Sequence, residues 1–115
     1  MKILTRKQFV EMPIGTVYSL YEPCVFHELN IKMSSENEWK NDFLYDSIIG
    51  AIENKSSGDY NEKCDVMEEG GSVSMDFNNT SREGLFDEKQ LYAVYGKEDV
   101  KKLIRKLKDA YEWQN

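Results

Sequence analysis

Val100, Leu103, Ile104, Leu107, Ala110 and Tyr111 fall at i, i+3, i+4, i+7, i+10 and i+11. This spacing predicts an amphipathic helix with a single apolar stripe facing a core. Its opposite face is lysine and arginine. Glu98 and Asp99 stand in the first turn and Lys101, Lys102, Arg105, Lys106 and Lys108 follow, the order a helix macrodipole favours. Ahead of the helix, Ser72–Phe77 and Gln90–Tyr95 read as two strands joined through the polar turn Asn78–Gly84, with Gly96 as the break before the helix.

The N-terminal half follows the same logic. Thr5 and Gln8 have the spacing of a capping box, so Arg6–Glu11 is one or two helical turns ended at Pro13. Pro13-Ile14-Gly15 then turns into a strand over Thr16–Tyr21, which Pro23 stops. From Cys24 to Met33 the alternation is long: Val25, His27, Leu29, Ile31 and Met33 share one face, and Cys24, Phe26, Glu28, Asn30 and Lys32 the other. Ser34–Asn41 is a polar loop carrying Trp39, and Asp42–Asp46 a short strand. Ile48, Ile49, Ala51 and Ile52 fit a helical turn or a strand equally. Asn54–Gly71, rich in Ser, Gly, Asn, Asp and Glu, reads as a long polar loop or flap.

Together these elements predict one α+β domain over residues 1–115. Its expected form is a bent antiparallel sheet or small open barrel of about five strands, with a short N-terminal helix and a C-terminal amphipathic helix packed on one face. The length of 115 residues suffices for a core without disulfides or a metal. With 40% hydrophobic and 12% aromatic residues the chain belongs with folded proteins. A net charge of −6 argues against free nucleic acid as a partner. No signal peptide or membrane-spanning run is read, so the expected location is the cytoplasm. Cys24 and Cys64 then read as free thiols. The charge is segregated, with 14 acidic against 5 basic residues between Ser34 and Gln90, and 6 basic against 4 acidic in Lys97–Trp113.

Catalytic chemistry finds little to use. His27 is the single histidine, and on a regular strand Cys24 points away from it. Asp59–Asp65 begins like a calcium loop, yet Lys63 takes a ligand position, Cys64 replaces the central glycine and Gly70 the bidentate glutamate. Two cysteines and one histidine do not complete a zinc site, and no phosphate-cradling glycine loop is present. No catalytic residue, metal or cofactor is therefore expected. Binding fits better: Tyr18, Tyr21, Trp39, Tyr60, Phe86, Tyr92 and Tyr95 offer aromatic faces on which bases stack. Arg82, in the turn Asn79–Gly84, could hold an anion with backbone amides and hydroxyls.

Phe9-Val10-Glu11-Met12-Pro13-Ile14-Gly15-Thr16-Val17-Tyr18-Ser19 with Tyr21–Phe26, and Arg82-Glu83-Gly84-Leu85-Phe86-Asp87 with Gln90–Tyr95, resemble a group of small uncharacterised accessory proteins of tailed phages. The resemblance implies a setting of host takeover or counter-defence through binding. In that setting the expected function is non-catalytic sequestration of a nucleotide immune signal. The site residues would be Arg82, Tyr18, Tyr21, Phe86 and His27, with Lys102 and Arg105 of the basic helix on phosphates, and a homo-oligomer building pockets between chains. Three alternatives stand beside it. One is an acidic mimic of nucleic acid that occupies a host defence protein, and one a small structural or docking domain. The third is a hydrolase of the same signal using His27 and Asp65 or Asp87.

Overall fold

The structure, a computed structural model, describes residues 1–35, 42–84 and 86–114, with Phe26 described by its backbone alone. Trp39 and most of its loop lie outside the described residues. The element order is β1 (Lys2–Thr5), α1 (Arg6–Phe9), β2 (Val17–Glu22), β3 (Val25–Ser35), β4 (Phe43–Ser47), β5 (Ala51–Ile52), α2 (Ser57–Glu68), β6 (Met75–Asp76), β7 (Thr80–Glu83), β8 (Leu91–Val94) and α3 (Lys97–Trp113). Six strands form one antiparallel sheet in the order β1-β8-β2-β3-β4-β7, and β5 pairs with β6 in a separate two-stranded ribbon. The α+β class with its two terminal helices is thus present.

The core lies where α1 crosses the sheet. Thr5 accepts from the Gln8 backbone while Gln8 returns a bond to the Thr5 N–H, so the capping box forms as its spacing predicts. This fixes the short helix so that Phe9, fully buried, stacks on Tyr92 at 4.3 Å between ring centroids. The Phe9 ring also meets Tyr18 at 4.5 Å and Phe43 edge-on at 5.2 Å. Strand register puts these rings on one face, since Tyr18 pairs with Val94 and Asn30, and Tyr92 with Leu20 and Leu4.

The long strand β3 departs from simple alternation twice. Ser19 pairs with Leu29 but Tyr21 with Phe26, so His27 and Glu28 together oppose Leu20. A second extra residue lies between Lys32 and Ser35 opposite β4. Each bulge bends the strand and re-aims its side chains. Of its two faces, the one holding Asn30 and Lys32 is buried, at 6% and 2% exposure, while Leu29 and Ile31 are half-buried. Lys32 reaches the Met33 carbonyl at 3.3 Å and lies 5.9 Å over the Phe43 ring, which compensates its charge in the core.

Three expectations are corrected. The segment 54–71 is no loop: Ser56 caps α2 by accepting from Asp59 N–H at 3.1 Å. Gly70, at φ +93°, ends the helix with Gly70 and Gly71 donating to Met67 and Val66 carbonyls, the αL cap that glycine favours. The helix was hidden because it is polar all round and buries no residue. The stripe on α3, in turn, does not close over a core. Ile104, Leu107 and Tyr111 are 61%, 58% and 72% exposed, and no residue of α3 is buried. The radius of gyration, 16.7 Å, exceeds the roughly 13 Å of a compact chain of this length, as two unpacked helices require. Likewise Asn78–Gly84, expected as a turn, supplies β7.

Candidate functional site

Beside the aromatic cluster, on the same sheet face, opens a cleft of about 560 Å³. Tyr18, Leu20 and Glu22 come to it from β2, His27, Glu28 and Asn30 from β3, and Tyr45 from β4. Arg82, Glu83, Gly84 and Gln90 complete the wall. The bulge in β3 brings both His27 and Glu28 to this wall, which strict alternation would forbid.

The floor is built from buried polar groups. Burial pushes the Tyr18 phenol well above its ordinary pKa, against a small opposing pull from the neighbouring Asn30 side chain. Among the described residues the Asn30 Oδ1 atom has no hydrogen-bond partner, and it is shut from solvent. An orphaned buried carbonyl costs about 1–3 kcal/mol, so a donor that reached it on a small rotation of the Asn30 side chain would be favourably received. Tyr45 and Tyr18 give the adjoining surface its aromatic character.

Behind the wall, Arg6 ties α1 to the far edge of the sheet. Its guanidinium donates to the Tyr92 hydroxyl at 2.8 Å and pairs with Glu83 at 2.6 Å. It also lies 5.6 Å over Phe43 and 5.7 Å over Phe86. Burial would lower the Arg6 pKa, but Glu83 and Tyr92 outweigh it and hold it above its ordinary value. Burial likewise pushes Tyr92 up to about 12, against the pull of Arg6. Arg82 Nε pairs with Asp42, whose carboxylate is fully buried and also accepts from Phe43 N–H. The guanidinium that was expected to hold an anion therefore serves first to neutralise Asp42, with Phe86 5.9 Å away.

Tyr18, His27 and Arg82 meet in the cleft, and Phe86 stands behind Arg82. Tyr21 does not join them. It neighbours Leu20 on β2 and so turns to the other face, where its hydroxyl accepts from Cys24 N–H at 3.3 Å. Lys102 and Arg105 are exposed on α3 and do not line the cleft. The residues missed by sequence reasoning are Arg6, Asn30, Tyr45 and Glu83. Arg6 and Glu83 lie far apart in the chain and are joined only by topology, but Asn30 and Lys32 at the centre of the longest strand were a readable sign of a polar face in use.

The charge of the cleft is acidic: with Glu83 paired to Arg6 and Arg82 to Asp42, Glu22 and Glu28 supply the excess. His27 Nε2 is 3.8 Å from Glu22 Oε1, and both are exposed. Among the described residues no group of three or more His, Cys, Asp or Glu could hold a metal ion. No helix among them is long and apolar enough to cross a membrane. No protein-family profile, curated protein or solved structure matches this chain.

Proposed function

We propose that this chain is a non-catalytic binding protein whose cleft holds a small nucleotide-like ligand. The observation that carries the reading is Asn30, which lines an aromatic-walled cleft and whose buried Oδ1 has no partner among the described residues. An exocyclic amine of a base is a donor of the right kind for it, and Tyr45 supplies a face for the ring. Ribose hydroxyls suit Glu22 and Glu28, which accept hydrogen bonds. The surplus of carboxylates favours a ligand whose phosphates stay outside, near the exposed Arg82 at the rim. In the phage setting, such a cleft would sequester a nucleotide signal of host immunity.

A panel titration tests this. Adenosine should bind and raise the melting temperature, and purine riboside, which lacks the amine, should bind about tenfold more weakly through loss of one hydrogen bond. Adenosine and purine riboside of equal affinity, or no binding by either, would remove the reading. Ligand recovered intact after heat denaturation separates sequestration from hydrolysis.

An acidic-surface reading has one observation of its own. Glu62, Asp65, Glu68 and Glu69 are all exposed on or beside α2, and a basic groove on a host protein would fit them. Association led by exposed charge weakens as salt rises, so a host-protein complex indifferent to salt would count against it.

A further inference from the structure

We propose that α3 pairs antiparallel with the α3 of a second copy of this chain. The inference rests on the exposed stripe and stands apart from the cleft. Val100, Ile104, Leu107 and Tyr111 are spaced by four, three and four residues, the seam of a two-helix coiled coil, with Leu103 and Ala110 widening one edge.

The seam is self-complementary when reversed. Antiparallel pairing about its centre sets Val100 against the partner's Tyr111, and Leu103 and Ile104 against the partner's Leu107. Each helix end then also meets a second apolar surface. A groove of about 630 Å³ runs from Val100 and Ile104 to Met12, Ile14, Val17 and Val94. It lies at the N-terminal end of α3, where an antiparallel arrangement brings the partner's Tyr111.

The available area points to a weak dimer. Tyr111 contributes roughly 150 Å² and each of Ile104, Leu107 and Ile14 on the order of 100 Å². With half-buried Val100, Leu103 and Met12 and the stems of Lys97 and Lys101, the face approaches, without exceeding, the roughly 800 Å² per partner of a standard interface. A concentration-dependent dimer is the consequence. Charge adds no attraction at the rim, since Lys101 faces the partner's Lys108 along the flank. This distinguishes self-pairing of α3 from a contact between basic α3 and the acidic α2 of a second copy.

Sedimentation of the intact chain at rising concentration, in low and in high salt, tests the proposal. A species of twice the 13.5 kDa chain mass should grow with concentration and be held or strengthened by salt. Leu107→Glu and Ile104→Glu should each abolish it with unchanged circular dichroism, because neither residue is buried. Spin labels then test the direction in a Cys24→Ser/Cys64→Ser background. Labels at Lys97→Cys should lie about 25 Å apart along the axis at 1.5 Å per residue, and labels at Lys108→Cys much nearer. A monomer at all concentrations, a dimer that survives both glutamate variants, a dimer that salt dissolves, or equal spacings at the two labels would each overturn the proposal.

Discussion

The α1-covered half of the sheet and the two longer helices are built on opposite principles. Under α1, Phe9, Tyr18, Phe43 and Tyr92 are all but sealed from solvent, and even a lysine, two arginine contacts and two carboxylates are drawn in. In α2 and α3, no residue is buried. Stability is therefore concentrated in the sheet and a four-residue helix, while the two longer helices are held by their caps and a few polar contacts, such as the ion pair of the Met1 amino group with Asp99. The contrast separates what holds the fold from what is free to meet another molecule.

The largest effect should come from the centre of the packed half. Phe9→Ala is expected to cost about 3–5 kcal/mol in denaturant unfolding, by lost burial and the cavity left behind. Leu107→Ala, on the exposed stripe, should cost less than about 0.5 kcal/mol when measured below the concentration of any dimer. Equal costs would erase the distinction. Arg6→Met leaves the largely shielded Glu83 without its ion pair and should also cost about 3 kcal/mol. The double variant Arg6→Met/Glu83→Leu should recover much of that loss. No recovery would mean that Arg6 acts through Tyr92 and Phe43 instead.

A pH scan reports on the packed half alone. Tyr92 is pushed up to about 12 and Tyr18 higher than its ordinary value in the folded state, both chiefly by burial. For a folded pKa raised above the unfolded one, the stabilisation is complete below the unfolded value near 10 and is lost as pH climbs toward the folded value. The contribution of these two tyrosines should thus be flat below about pH 10 and fall steeply from 10 to 12. Absorbance near 295 nm should show the buried tyrosines ionising only as the chain unfolds. Ionisation of Tyr92 and Tyr18 in a still-folded chain would contradict the packing.

Smaller still is the turn between β2 and β3. Cys24 sits at φ +66° after Pro23, a left-handed conformation that favours glycine. Cys24→Gly should gain about 0.5–1 kcal/mol, the relief of that conformation exceeding the entropy glycine adds to the unfolded chain. A loss on unfolding measurements would mean that the thiol packs more than its exposure suggests.

The two regions were also unequally legible in the sequence. Local chemistry was readable: the Thr5–Gln8 capping box, the stop at Pro23 and the period of α3 all predict what forms. Missing were features decided by tertiary partners. The stripe on α3 predicts a helix correctly but does not say whether the core it faces belongs to the same chain. The helix α2 has no apolar face to betray it, and only Ser56 with Asp59 and the paired Gly70-Gly71 announce its ends. In the cleft, Tyr18, His27 and Arg82 were named from residue type, yet Arg82 is engaged by Asp42, forty positions earlier in the chain, and Asn30 gained its role from a register no local pattern encodes.

Ligand recognition in the proposed cleft centres on Asn30. In a two-dimensional nitrogen–proton spectrum titrated with adenosine, the Asn30 side-chain amide pair should shift in step with the backbone signals of Tyr45 and Gln90, leaving the α3 signals from Lys102 to Lys108 in place. An Asn30 amide that stays fixed at saturation, or shifts confined to α3, would contradict the cleft as the binding site.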